Sequence, residues 1–202
     1  MLYISHGPTY LYNGHIFRIR NISGTYTKIL SRGISQLEAM LTHYQKVFVY
    51  RFDLRCNNYS ETNIQLSQFI SRLKYWVKIQ YKSRLGFIWV REQNPPTPTQ
   101  HYHIAIMING NKVDTSFRIG KKLKELEAQW QGKIGFVPNP YHRVKRNDFT
   151  SVQNAIYRIS YLAKVETKAS KNKTANAYNC SRIKLNTAKT AFDFDGIESE
   201  KP

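Results

Sequence analysis

The stretch Gln100-His-Tyr-His-Ile-Ala-Ile-Met-Ile-Asn109 decides how the rest of the chain is read. In a strand, residues i and i+2 share a face. Tyr102, Ile104, Ile106 and Ile108 therefore line one face, the expected core side, while His101, His103, Ala105 and Met107 line the other. An antiparallel sheet with one packed face leaves its second face to solvent, so both imidazoles are expected on the exposed side, aimed at one spot. Two histidines placed this way bind a divalent metal when a carboxylate is brought alongside, and such an ion polarises a phosphoryl oxygen. An H-x-H pair alone also suits ordinary packing or edge-strand histidines, so its weight depends on its surroundings.

Upstream, Leu85-Gly-Phe-Ile-Trp-Val-Arg-Glu92 reads as the preceding strand, and the Pro-rich break Asn94-Pro-Pro-Thr-Pro98 suits a hairpin loop. That hairpin brings Glu92 near His101 and makes Glu92 the first choice of carboxylate. Lys46-Val-Phe-Val-Tyr-Arg-Phe-Asp-Leu-Arg55 is a β-branched and aromatic run that reads as a central strand, and its Asp53 is the alternative carboxylate. Two imidazoles and a carboxylate with open positions suit Mg2+ or Mn2+, although imidazole tolerates other metals.

Between these strands, Ser60-Glu-Thr-Asn63 opens a helix in which Ile64, Leu66, Phe69, Ile70, Leu73, Trp76, Val77 and Tyr81 carry period 3.6. Arg72, Lys74, Lys78 and Lys82 occupy much of its other face. From Ser35, the spacing of Leu37, Met40, Leu41 and Tyr44 predicts a helix before the first central strand. Residues 115–131 and 149–164 predict two more helices, separated by a turn-rich stretch from Gly132 to Tyr141 with room for a strand. Residues 1–33, rich in Gly, Tyr and Ser, predict an N-terminal extension with one hairpin. Residues 166–202, basic and then acidic and poor in core formers, predict a flexible tail. The expected organisation is thus an N-terminal extension and helix over 1–45, a core domain over 46–165 and the tail. Its element order predicts an α+β fold, an antiparallel sheet of about five strands flanked by helices, ferredoxin-like or RRM-like, with the helices on one side.

In the last predicted helix, a rise of about 1.5 Å and a turn of about 100° per residue place Tyr157, Tyr161 and Lys164 in one stripe. A phenol is a poor nucleophile at its reference pKa of about 10 and needs a nearby cation or a metal-bound phosphate. Lys164, one turn from Tyr161, supplies such a charge. The plainer alternative is that Ile156, Tyr157, Tyr161 and Leu162 form the buried face of an amphipathic helix. Asp148-Phe-Thr150 is an ordinary helix start.

The 202 residues carry 31 Lys and Arg against 13 acids, a net charge of +18, which implies a polyanionic partner. Nucleic acid fits better than a membrane, which would need a long apolar span or a basic amphipathic helix with a strong apolar face: no apolar run approaches the roughly 18 residues of a spanning helix. Cys56 and Cys180 form no C-x-x-C pair, and Met-Leu-Tyr-Ile-Ser-His has no signal-peptide pattern, so reduced thiols in a cytoplasm are expected. Arg51 and Arg55, then Arg118, Lys121, Lys122 and Lys124, then Arg143, Lys145 and Arg146 are the expected DNA contacts, with solvated surface as the alternative for part of them.

Taken in order, Val49-Tyr-Arg-Phe-Asp-Leu-Arg55, Glu92 with His101-Tyr-His103, and Tyr161-Leu-Ala-Lys164 resemble the first strand, the metal motif and the Y-x-x-K nucleophile motif of the HUH single-strand endonucleases. Within them the likeness is to rolling-circle replication initiators of phages and prophages of filamentous-phage type, over roughly residues 46–165. The resemblance implies that His101, His103 and Glu92 hold a divalent metal, Mg2+ or Mn2+, and that Tyr161 attacks a scissile phosphate. The products would be a 5′-phosphotyrosyl enzyme and a free 3′-OH for a polymerase, and the same enzyme would rejoin the circle. In two-tyrosine members each Tyr is followed three residues later by Lys; Tyr157 is followed there by Ser160, which leaves Tyr161 as the expected nucleophile and Tyr157 as its candidate partner. The implied partners are single-stranded origin DNA and, because the sequence shows no G-x-x-x-x-G-K-[ST], a host helicase, all in the cytoplasm of a bacterial host. Two rival readings are a non-catalytic RRM-like module that grips single strands by stacking, and a transposase or relaxase of the same superfamily.

Overall fold

The computed structural model describes residues 3–21, 23–93, 99–165 and 176–194. In chain order the elements are β1 (Ile4–Ser5), β2 (Thr9–Tyr12), β3 (His15–Arg18), β4 (Thr25–Tyr26), α1 (Thr27–His43), β5 (Lys46–Cys56), α2 (Ile64–Tyr81) and β6 (Gly86–Gln93). Then follow β7 (Gln100–Asn109), α3 (Phe117–Glu127), β8 (Gly132–Lys145), α4 (Phe149–Ser160), a 3-10 turn (Tyr161–Ala163) and β9 (Tyr178–Cys180). The main sheet has five strands in the order β8-β5-β7-β6-β9, every neighbouring pair antiparallel. Its four strands β5 to β8 with α2 and α3 form the split β-α-β-β-α-β arrangement expected from the element order.

The helices do not all lie on one side, and this corrects the one-sided expectation. Phe48, Tyr50, Phe52, Leu54, Tyr102, Ile104 and Ile106 face α2 and α3, whose Leu66, Phe69, Leu73, Val77, Ile119 and Leu123 complete one core. Val47, Val49, Ile88, Val90, Ala105 and Met107 face the other way into a second core with α1 and α4, through Ile34, Leu37, Met40, Leu41, Val152, Ile156 and Ile159. Ala105 and Met107 carry the physical reason. Apolar residues on both faces of one strand require cover on both sides, and the histidine-bearing face of β7 is a core face for half its length.

Four further differences have local causes. Helix α1 begins at Thr27, eight residues before the predicted Ser35, and buries Ile29, Leu30 and Ile34. Its Gly33 is a point of close approach rather than a break, since a Cβ there would lie 2.7 Å from Ile159 Cγ2 and 3.3 Å from Ile88 Cδ1. The stretch Gly132–Lys145 is one long edge strand, shifted in register between Tyr50 and Phe52 of its neighbour, and an edge position tolerates Pro138 and Pro140. Helix α4 ends at Ser160 rather than Lys164, because the chain tightens into the 3-10 turn and leaves helical geometry at Lys164, with ψ 149°. Finally, residues 176–194 are not a free tail: β9 pairs with β6, and Phe192 and Phe194 enter the second core beside Phe17 and Phe149. A few aromatic anchors outweigh a polar average composition. The predicted loop at 94–98, the basic run at 166–175 and the acidic end at 195–202 lie outside the described residues.

The N-terminal hairpin is present as β2 and β3, turning through Asn13 (φ 48°) and Gly14 (φ 83°). Positive φ at both central residues is the hairpin turn that Asn-Gly favours. Ser160 Oγ accepts from Arg20 N at 2.8 Å, which ties the chain after this hairpin to the end of α4.

Candidate metal and nucleophile site

The face shared by β5, β7 and β6 changes character halfway along the strands. Strand register sets Asp53 opposite His103 and Glu92 opposite His101, and the apolar residues Val49, Ala105 and Val90 give way to Arg51, Asp53, His103, His101 and Glu92. His103 is 5% exposed and Glu92 2% exposed. Of the histidines expected at an open surface, His103 is thus enclosed in the sheet face, while the His101 side chain, 23% exposed, reaches out.

One atom of each of Glu92, His101 and His103 lies within 4.8 Å of the other two. Glu92 Oε2 stands 3.2 Å from His101 Nε2 and 3.0 Å from His103 Nε2. Ligands about 2.1 Å from an octahedral ion, set at right angles, stand about 3.0 Å apart, so the spacing of Glu92 to each histidine is that of neighbouring ligands on one divalent cation. Asp53 takes the other side of His103, with Oδ1 2.7 Å from Nδ1. That is the usual partner of a metal-binding imidazole, which fixes its tautomer and ring plane. The two candidate carboxylates therefore take different places, Glu92 between the two imidazoles and Asp53 on the other side of His103. Without metal, burial opposes charge on His103, yet the hydrogen bonds and charges of Asp53 and Glu92 outweigh it and raise its pKa. Asp53 shifts the other way: burial pushes its pKa up, but the bond to His103 and the charges of His103 and Arg51 bring it below the usual value.

Tyr161 leans against this cluster. Its ring meets that of His103 edge to face, centroids 5.6 Å apart. Arg51 Cζ lies 4.0 Å from the ring centroid, Lys164 Nζ 4.5 Å and Arg20 Cζ 5.2 Å. Lys164 Nζ donates to the Tyr161 phenol oxygen at 3.2 Å. Arg158 belongs to the same group. Its pKa is lowered first by burial and then by Arg51 and Arg20, with Asp53 and Tyr161 acting in the opposite sense. It is anchored through Nη2 to Pro138 O at 2.5 Å. Arg51 itself is 5% exposed and 3.6 Å from Asp53 Oδ1, so it stands inside the site rather than on an outer DNA path.

The two tyrosines differ sharply. Tyr157 is 46% exposed, outside the cluster and not on the helix's buried face, which is Val152, Ala155, Ile156, Ile159 and Ser160. Ser160, at the place a second motif lysine would take, is fully buried and donates to Tyr157 O at 2.7 Å. It is committed to holding the end of α4, so Tyr157 gains no cation from that position.

The other expected DNA contacts scatter. Arg55 is exposed in register with His101. Arg118, Lys121, Lys122 and Lys124 sit on α3, which covers the opposite face of the sheet, and Lys122 and Lys124 pair with Glu125 and Glu127 at 3.1 Å. Arg143 donates to Val113 O and Asp114 O and stacks near Phe48 on that same opposite side. Lys145 is exposed at the end of β8. Arg146 Nε donates to Leu41 O at 2.7 Å and satisfies the last turn of α1. Arg20 and Arg158 were not expected at the site. Arg158 lies one helical turn before Tyr161, a spacing that held the signal, whereas nothing in the sequence links Arg20 to a residue 141 positions later.

The family described as YagK/YfjJ C-terminal domain matches residues 12–181, from the end of β2 to the residue after β9. The chain belongs to that family. No curated protein and no solved structure matches it. The matched span of this YagK/YfjJ C-terminal domain takes in the hairpin turn and β3, Arg20, all five strands of the main sheet and the whole cluster around His103 and Tyr161. Among the described residues, no helix is long and apolar enough to cross a membrane.

Proposed function

We propose that this YagK/YfjJ C-terminal domain is a metal-dependent endonuclease that nicks and rejoins single-stranded DNA through Tyr161, of the kind that initiates rolling-circle replication. The observation that carries the reading is the convergence of Tyr161, Lys164 and Arg51 on a His101/His103/Glu92 donor set, from segments far apart in sequence. A divalent ion held by these three residues would polarise a phosphoryl oxygen of the scissile phosphate. The Tyr161 oxygen gives up its proton and attacks phosphorus, the bond to the 3′ oxygen breaks, and the departing oxygen takes up a proton in its place to leave a 3′-OH. The tyrosine then carries the 5′ phosphate. Arg20, Arg51, Arg158 and Lys164 place positive charge around the atoms that become negative in that step, the arrangement that contributes most to such reactions. Attack by the 3′-OH on the phosphotyrosine reverses the step and seals the strand. A cytoplasmic setting in a bacterial host, with a host helicase and polymerase as partners, goes with this reading.

The RRM-like stacking module is less well supported. Phe48 and Phe52 are fully buried, Tyr50 is 3% exposed and Tyr102 1% exposed, so these rings of β5 and β7, on which that reading depends, offer bases no open face.

Incubation of the full chain with labelled single-stranded DNA from its own replicon, with Mn2+ or with EDTA, tests the reading. A covalent adduct that needs metal and disappears in Tyr161→Phe is expected. Cleavage with no covalent adduct, or an adduct that survives Tyr161→Phe, would refute it.

A further inference from the structure

Strand β6 carries Glu92 near one end, and at its other end the surface opens into a groove of about 1220 Å3. The walls are the last turns of α2, His43 and Tyr44 at the end of α1, the start of β6 and the segment after β9. Lys74, Lys78, Lys82, Arg84, Arg182 and Lys184 line it, all exposed, and no carboxylate is among the lining residues. Among the described residues none of these six cations forms an ion pair. Like charges gathered from three chain segments into one concavity repel each other and create a strong local potential, which a polyanion relieves.

The groove is larger than the roughly 300–1,000 Å3 of pockets that enclose a small molecule. Its walls are held in place: Arg84 N donates to Tyr44 Oη at 2.9 Å, His43 Nε2 meets Lys184 O at 2.9 Å, and Ser181 N donates to Phe87 O at 2.9 Å. On α2, Tyr75 is 69% exposed and lies one helical turn before the lining residue Ile79. A bare aromatic beside a cationic track is the combination that holds single-stranded nucleic acid by backbone contact and stacking.

We propose that this groove binds the sugar-phosphate backbone of nucleic acid, as a second anchor on the substrate of the metal site. From Phe87 to Glu92 the strand covers roughly 17 Å, so one strand of a few nucleotides can reach both. The inference rests on the DNA reading above for its ligand, but binding here needs neither metal nor chemistry.

The test is fluorescence anisotropy of a labelled single-stranded oligonucleotide with the full chain in EDTA, over a series of salt concentrations. Two variants come from different walls, Lys74→Gln/Lys78→Gln and Arg182→Gln/Lys184→Gln, each checked for folding by circular dichroism. Each pair weakens binding and flattens the slope of log Kd against log salt by about 1.4, two phosphate contacts at about 0.7 each. Wild-type slope and affinity in a folded pair would overturn the proposal, and one folded pair suffices. Loss of binding to phosphatidylserine vesicles with DNA binding intact would overturn it as well, in favour of a membrane surface. If the wild-type chain forms no covalent adduct, the nicking reading falls while a positive anisotropy result leaves the groove standing.

Discussion

The two halves of the sheet face beneath α1 and α4 share strands, alternation and register, yet one is core and the other is the candidate site. In the first half Val49, Ala105, Met107, Ile88 and Val90 pack against α1 and α4. In the second, two residues further along the same strands, Arg51, Asp53, His103, His101 and Glu92 enclose a polar cluster that the 3-10 turn covers with Tyr161. The strands that pack the core half also carry the polar half and set its register. Buried charges cost several kcal/mol unless each is paired, and here rigid strands set His103 between two carboxylates.

Substitutions that act on one half and spare the other break or sharpen this contrast. The largest effect is expected at Tyr161. On the proposed mechanism Tyr161→Phe removes the attacking oxygen while keeping the ring, and single-turnover cleavage should fall by at least about 10^3-fold, as for loss of a nucleophile, whereas Tyr157→Phe should keep most activity. Next is the divalent-ion affinity. Asp53→Asn leaves the Glu92/His101/His103 set in place but weakens the grip on Nδ1, so Mn2+ affinity measured by calorimetry should drop about 10- to 100-fold. On the core side, Gly33→Ala pushes a methyl against Ile159 and Ile88. Overpacking of that kind costs about 1–3 kcal/mol, so Tm should fall by roughly 2 to 10 °C with Mn2+ affinity unchanged. A matching loss of metal affinity in Gly33→Ala would show that the halves are not separable.

Acidity separates metal-free from metal-bound protein. His103 has a raised pKa, so its bonds to Asp53 and Glu92 add stability that is complete below its unfolded value of about 6.5 and is lost as pH rises through the folded value. Asp53 has a lowered pKa, so its contribution is present above about 3.9 and is lost as pH falls through the folded value. The metal-free chain should therefore gain most from this pair between about pH 4 and 6.5. Binding of the proposed metal should run the other way, because His103 Nε2 must give up its proton, and affinity should climb with pH through the raised His103 value. The smallest effect is expected from Lys121→Gln/Lys124→Gln on α3, remote from the site face: cleavage at saturating DNA should stay near wild type.

Much of this was legible in the sequence because it depends on local periodicity. β7 runs Gln100–Asn109, the stretch its alternation marks, α2 covers the helix read from Ile64 to Tyr81, and the split topology follows from the element order. The pairing of Glu92 with His101 followed from a hairpin with a short loop. What was hidden depends on contacts between distant segments. Nothing local announces that Arg20 meets Tyr161, that Phe192 and Phe194 fill a core begun at Phe17, or that Gly33 marks contact with Ile159 rather than a helix break. Asp53 and Glu92 were both visible as carboxylates, but only the two nitrogens of His103, each with its own partner, assign them different places.

In the proposed function the polar half of this face is a metal centre built by Glu92, His101 and His103. Mn2+ titration of the full chain, followed by electron paramagnetic resonance, tests it most directly, with Glu92→Gln/His101→Ala as the comparison. One tightly bound ion per wild-type chain and none in the folded double variant is the predicted result. Equal Mn2+ binding by the two proteins would contradict the account.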